Sequence, residues 1–302
     1  MQKWWNWILI IALVCFLFIA VPLTYNTSPS GTKEQLRPMF DKYIEQFNKS
    51  YKNNPAEYET RLEHFVASVQ EIDKLNAASR GPEQHRAKYG LTKLSDMSKA
   101  EFKDIHLSDE KPRHKRLREN WIKYENDIDS ESHHHRLQKF IRKKRATLPL
   151  RIDWREKGVI GPVRDQGLCG ACWAFSTIGT METMAAIQSG KLTQLSVQEV
   201  IDCAGLGNSG CLGGDICLLL DWLLMTDTTV EYDKAYPLRL INGVCQKKTN
   251  ATGVKIEKFT CEDYVGIEDK ILQLIATHGP VAVAVNALTW QNYLGGVIQY
   301  HC

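Results

Sequence analysis

Gln166-Gly167-Leu168-Cys169-Gly170-Ala171-Cys172-Trp173-Ala174-Phe175-Ser176 decides how this chain is read. Its glycines favour a tight bend, and the apolar run Trp173 to Ile187, closed by Gly190, predicts a buried helix behind it. Cys172 therefore falls at or near the helix's first turn, where the positive end of the helix favours thiolate over thiol. A thiolate there is a nucleophile for acyl transfer. The Cys172 N–H precedes the intrahelical ladder and can donate to an oxyanion, and the Gln166 amide, just upstream across the bend, can supply a second donor. A competing reading makes Cys172 a disulfide partner or an inert buried thiol, the ordinary fate of one cysteine among nine where disulfides can form.

Working outward, the chain has 302 residues and 43% hydrophobic residues, enough for one large domain or two smaller ones, each with a core. Its net charge of +3 is too small to imply a nucleic-acid partner. Lys3 opens a short basic start, and Trp7 to Leu23 is apolar and uncharged, ending at Pro22 and Asn26-Thr27-Ser28. Residues 1–25 read as a cleaved signal peptide, or alternatively a retained anchor, which alone would bring a membrane partner. Either way the rest enters the secretory pathway, with a lysosomal or extracellular destination. Sequons at Asn26, Asn48 and Asn250 agree with that route.

Residues 34–108 carry helical spacing. Met39, Phe40, Tyr43, Ile44 and Phe47 mark one helix. After Pro55, a longer one places Arg61, Phe65, Ser68, Ile72, Leu75 and Asn76 on one face, and Gly81-Pro82 ends it. Tyr89 to Leu94 reads as extended and Met97 to Ile105 as a short helix. Residues 109–147 are charged, poor in aliphatics and read as a mobile basic linker. Within it His133-His134-His135 is taken as solvated rather than metal-binding, and no metal or cofactor is implied. Arg142-Lys143-Lys144-Arg145 is either a basic patch or, as favoured here, a processing site just before the compact segment 148–302.

Cys169-Gly170-Ala171-Cys172-Trp173 matches the local signature of the papain family of cysteine proteases, and the chain resembles that family along residues 36–108 and 148–302. Leu148 to Arg155 resembles the mature N-terminus, and Leu195 to Cys203 the family's second helix. Cys211-Leu212-Gly213-Gly214 resembles a Cys-Asn-Gly-Gly strip with Leu212 replacing Asn, and Trp290 to Ile298 resembles one subtype of the family. Upstream, Glu57, Arg61, Phe65, Ile72 and Asn76 fit an interspersed Glu-Arg-Phe-Asn-Ile-Asn helix, with Ser68 at the first Asn position. Gly90, Thr92, Leu94 and Asp96 occupy the positions of a Gly-x-Asn-x-Phe-x-Asp motif, with Asn and Phe replaced.

The resemblance implies an α+β, two-lobe papain-like fold: a helical lobe plus an incomplete β-barrel lobe, preceded by a helical inhibitor prodomain whose tail lies through the substrate cleft. It implies disulfides Cys169–Cys211 and Cys203–Cys245, with Cys172 as nucleophile and Gln166 as oxyanion donor. Gly213 and Gly214 would contact substrate backbone, although glycines equally favour a plain turn, and Asp215, Ile216 and Ala284 would line a pocket. The implied partners are peptide or protein substrates, the chain's own propeptide and cystatin-like inhibitors. Cys217 reads as a buried thiol in an apolar helix; pairing with Cys261 stays open.

A thiolate protease also needs an imidazole and a group to orient it. In this family these lie about 130–150 residues past the nucleophile, a window opening at residue 302. His301 and His278 read as structural or solvated. Val281 to Val285 reads as a buried strand and Gly295-Gly296 as a turn. The expectation is therefore a fragment of a cysteine endopeptidase precursor, inactive as it stands. The rival readings are a non-catalytic prodomain-type inhibitor and a pseudoenzyme.

Overall fold

The computed structural model describes residues 31–107 and 148–298, apart from 84, 249, 263 and 265. The leader 1–25 with Cys15, the Asn26 sequon, the linker 109–147 with its His and Arg/Lys runs, His301 and Cys302 lie outside the described residues. Two compact units form: residues 31–102 with 286–298, and residues 103–107 with 148–285.

The first unit is built on helices α1 (Lys33–Gln46) and α2 (Pro55–Ala78). Gln35 reaches back to accept a hydrogen bond from the Thr32 N–H at 2.9 Å, satisfying a donor at the start of α1. Asn54 caps α2 by accepting from the Glu57 N–H, and Pro55 takes the first helical position, where a missing N–H costs nothing. Phe40, Tyr43, Ile44, Leu62 and Phe65 form its buried core, with Phe40 edge-on to Tyr58. The face predicted for α2 is used in full. Phe65, Ser68, Ile72 and Leu75 are buried, Arg61 donates to Glu101 and to the Asp96 carbonyl, and Asn76 exchanges two hydrogen bonds with the Tyr89 backbone.

Of the piece expected to be extended, Tyr89 to Leu94, only Tyr89 lies in a strand, β1 (Lys88–Tyr89); a turn begins at Lys93. The turn wins because Asp96, 2% exposed, draws Tyr43, Tyr51 and Lys49 onto one carboxylate, at 3.0, 2.5 and 2.9 Å. Helix α3 (Lys99–His106) follows. β1 pairs antiparallel with β4 (Tyr293–Gly295), Lys88 opposite Gly295 and Tyr89 opposite Tyr293. Gly295 thus ends a strand, and the bend falls at Gly296, where φ is +90°.

In the second unit, α4 (Cys172–Ser189) is apolar on nearly every side and runs through the core, packing Trp173, Ala174 and Ile178 against Val200, Leu219 and Leu223. Gly190 closes it with φ +72°, a conformation suited to glycine. α5 (Val197–Cys203) is capped by Ser196, which accepts from the Glu199 N–H at 2.9 Å. α6 (Ile216–Met225), the two-stranded β2 (Thr229–Glu231) and β3 (Gly253–Lys255), and α7 (Glu268–Thr277) complete it. Val281 to Val285 forms no strand, and Val283 and Val285 are half exposed. Among the described residues no neighbouring strand takes up its backbone donors, so apolar pattern alone does not make it one. Among the described residues, no helix is long and apolar enough to cross a membrane.

Candidate active site

The bend before α4 is held by its own backbone. Cys169 N–H donates to the Gln166 carbonyl at 3.1 Å, and Gly167 sits at φ +55°. Ala171 is the N-cap residue, and the helical ladder starts when Ala174 and Phe175 donate to its carbonyl. Cys172 is thus the first residue of α4, half-buried, and carries a thiol rather than a disulfide. The structure bonds Cys169 to Cys211 and Cys203 to Cys245. It also bonds Cys217 to Cys261, which corrects the expectation of a buried thiol at 217. Their Cα atoms lie 5.9 Å apart, within ordinary disulfide reach.

Gln166 is half-buried beside the bend. Its amide nitrogen donates to the Cys169 carbonyl at 2.9 Å and, at 3.5 Å, to the carbonyl of His106 at the end of α3. Gly170 donates to the Cys211 carbonyl at 2.8 Å. A side chain there would meet that oxygen at 2.7 Å and the Ile105 carbonyl at 3.3 Å, so only glycine allows this approach. The end of α3 therefore runs along the bend that holds Gln166 and Cys172.

The Gly213-Gly214 strip is defined by packing. Gly213 has φ +110°, and a Cβ on Gly214 would overlap the Trp173 indole. Asp215 is 3% exposed and caps α6, accepting from the Leu218 N–H at 2.8 Å. Its carboxylate serves the helix, which speaks against direct contact with a ligand. Ile216 opens α6, half-buried, and Ala284 is exposed on the segment after α7. His278 is exposed, and its ring pairs with the neighbouring Thr277 hydroxyl at 2.7 Å. Asn48 and Asn250 are exposed, as glycan acceptors must be.

Sequence reasoning missed a clamp behind the site. Asn242 accepts from the Cys211 N–H at 2.7 Å, and Leu240 packs on Gly167. The loop carrying both is held by fully buried Gln198, which donates to the Ile241 carbonyl and accepts from the Arg239 and Leu240 amides. Asp202 adds the Gly243 N–H, Tyr236 and Arg239. Nothing in the residue pattern flags a lone loop Asn as the acceptor for the Cys211 amide.

Two buried acids flank this core. Burial pushes the Glu182 carboxyl up, although it accepts from Arg164 at 3.0 Å and the Leu195 N–H at 2.7 Å. Burial likewise raises Glu199, with the neighbouring Glu231 charge adding to it; one Glu199 oxygen accepts the Glu231 N–H and the other has no hydrogen-bond partner.

With the geometry in hand, residues 148–302 match the model of the papain family cysteine proteases, and residues 40–102 match the cathepsin propeptide inhibitor domain. The chain belongs to the papain family of cysteine proteases. It is 45% identical over 158 residues to cathepsin O of Mus musculus, covering 52% of this chain and 50% of that protein. It is 36% identical over 221 residues to cathepsin O of Homo sapiens, covering 73% and 63%. The chain thus spans between half and two thirds of the cathepsin O relatives it matches. In fold it is similar to a recombinant stem bromelain precursor, with TM-score 0.62 and 24% identity over 89% of this chain and 78% of that one. The papain-like fold preceded by a helical propeptide is therefore established.

Proposed function

We propose that this chain belongs to a cathepsin O-like cysteine endopeptidase precursor, made for the secretory pathway and destined for lysosomes or the exterior, which cleaves peptide bonds in protein substrates. The observation that carries the reading is Cys172 as the first residue of α4, kept as a thiol among disulfides, with the Gln166 amide on the same bend. The Cys172 sulfur attacks the scissile carbonyl carbon. The Cys172 N–H and the Gln166 amide hold the resulting oxyanion, which collapses to a thioester as the amine leaves. The imidazole that must protonate that amine is not His278, which is exposed and paired with Thr277.

Self-inhibition follows from the same bend. The carbonyl of His106, on the propeptide side of the sequence, already receives a hydrogen bond from Gln166. A donor so engaged is unavailable to an oxyanion until the segment leaves. Cleavage at Arg142 to Arg145 would separate propeptide from peptidase, and Asn48 and Asn250 would carry glycans. Gly213 and Gly214 would line the substrate path, with Ile216 and Ala284 beside it. Cystatin-like inhibitors would compete for the same cleft.

The test is chemical. In a form extended to the length of its relatives and freed of the propeptide, an electrophilic thiol probe should label Cys172, and Cys172→Ser should lose peptide hydrolysis entirely. Full hydrolysis by Cys172→Ser would sink the assignment.

A further inference from the structure

Residues 286–297 meet the turn 92–97 through side chains as well as strand pairing. Gln291 and Asn292 are each 1% exposed. The Gln291 amide donates to the Leu94 and Met97 carbonyls, both at 2.8 Å. Those bonds read only main chain, so they accept any turn of this shape. Two hydroxyls do more. Thr92 Oγ1 donates to the Gln291 carbonyl at 2.7 Å, and Ser95 Oγ to Asn292 Oδ1 at 2.7 Å. Each hydroxyl also accepts locally, Thr92 Oγ1 from the Leu94 N–H and Ser95 Oγ from the Thr92 N–H. A hydroxyl has one proton, and the local bonds leave it aimed across. An apolar side chain at either position would strand an acceptor, and the larger amide of an Asn at 92 would not repeat the geometry. Gln291 Oε1 and Asn292 Nδ2 are buried with no hydrogen-bond partner. The contact already carries two unmet polar atoms, so further losses are poorly tolerated.

We propose that residues 286–297 are a docking strip selective for a propeptide turn bearing hydroxyls at positions 92 and 95. The strip then accepts this chain's own propeptide over those with an amide or apolar residue there. The inference rests on the self-inhibition reading and names what would make it specific.

Hydrogen exchange on the full chain tests it at the Gly90 and Val297 amides, which donate to the Asn292 and His85 carbonyls. Thr92→Val, Thr92→Asn and Ser95→Ala should each speed exchange at both by about fivefold or more, while Thr92→Ser should leave it unchanged. Ser95→Ala with Asn292→Ala should exchange no faster than the faster of the two single variants. Unchanged exchange in Thr92→Val and Thr92→Asn, or fully additive effects at 95 and 292, would overturn the proposal. If Ser95→Ala unfolds the chain, amides of α4 will accelerate too, and the contrast of Thr92→Val with Thr92→Ser then decides. Failure of Cys172 to react with a thiol probe would sink the peptidase reading while leaving these exchange rates as measured.

Discussion

At the residue scale, Glu199 makes stability depend on pH. Its folded carboxyl is raised by burial, so the folded state holds a proton that the unfolded chain releases. Stability from this group is therefore full below the ordinary glutamate range and falls as pH rises from about 4.3 upward. Urea midpoints for Glu199→Gln should vary less between pH 4.5 and pH 7 than those of the unaltered chain; an unchanged slope would contradict this. Gly214 makes a steric claim of the same local kind. Gly214→Ala should cost about 1–3 kcal/mol, read as a lower denaturant midpoint, because the new methyl overlaps the Trp173 ring. Both roles differ from what residue identity suggests. A Gly-Gly pair reads equally as a turn or a substrate track, and the indole packed behind it belongs to Trp173, far away in sequence.

At the element scale, most helices were legible. α4 could be read from its apolar run and closing Gly190, and α2 from one face of large residues followed by a breaker, because helical periodicity repeats over several turns. The strands were not. Val281 to Val285 has strand composition, yet a strand exists only with a partner, which local pattern does not contain. Cys217–Cys261 escaped for a related reason: pairing depends on two distant Cα atoms meeting, and Cys217 lies in a mostly apolar helix that reads as core. Removing that bridge by replacing both cysteines with serine should cost about 2–4 kcal/mol in an unfolding titration. Ser196→Ala should cost about 0.5–2 kcal/mol, since it deletes the α5 cap together with the Ser196 bond to the Tyr236 carbonyl at 2.6 Å. Restored stability in Ser196→Thr would tie the loss to the hydroxyl.

At the scale of the whole molecule, the papain family signature singled out Cys172 as the candidate nucleophile, but no motif pointed to the loop that braces its bend. Gln198 and Asp202 project from α5, grip residues 239–243, and through Asn242 fix the backbone beside the Cys169–Cys211 bridge. A non-reducing peptide map of the full chain after alkylation should show the three described bridges intact and the alkyl group on Cys172. Alkyl label on Cys217 or Cys261 would show that the third bridge does not form.

The placement of a disulfide cysteine three residues ahead of the Cys172 thiol has a practical side. Among the described residues, one sulfur must stay reduced while six stay oxidised. Cys169 is 1% exposed, but its partner Cys211 is half-buried, as Cys172 is, so access alone does not separate the two chemistries. A thiol in the buffer that can reach Cys172 can therefore also reach the bridge, through the Cys211 sulfur. Reductant concentration thus becomes a variable to hold fixed whenever the thiol at 172 and the bridge at 169 are handled together.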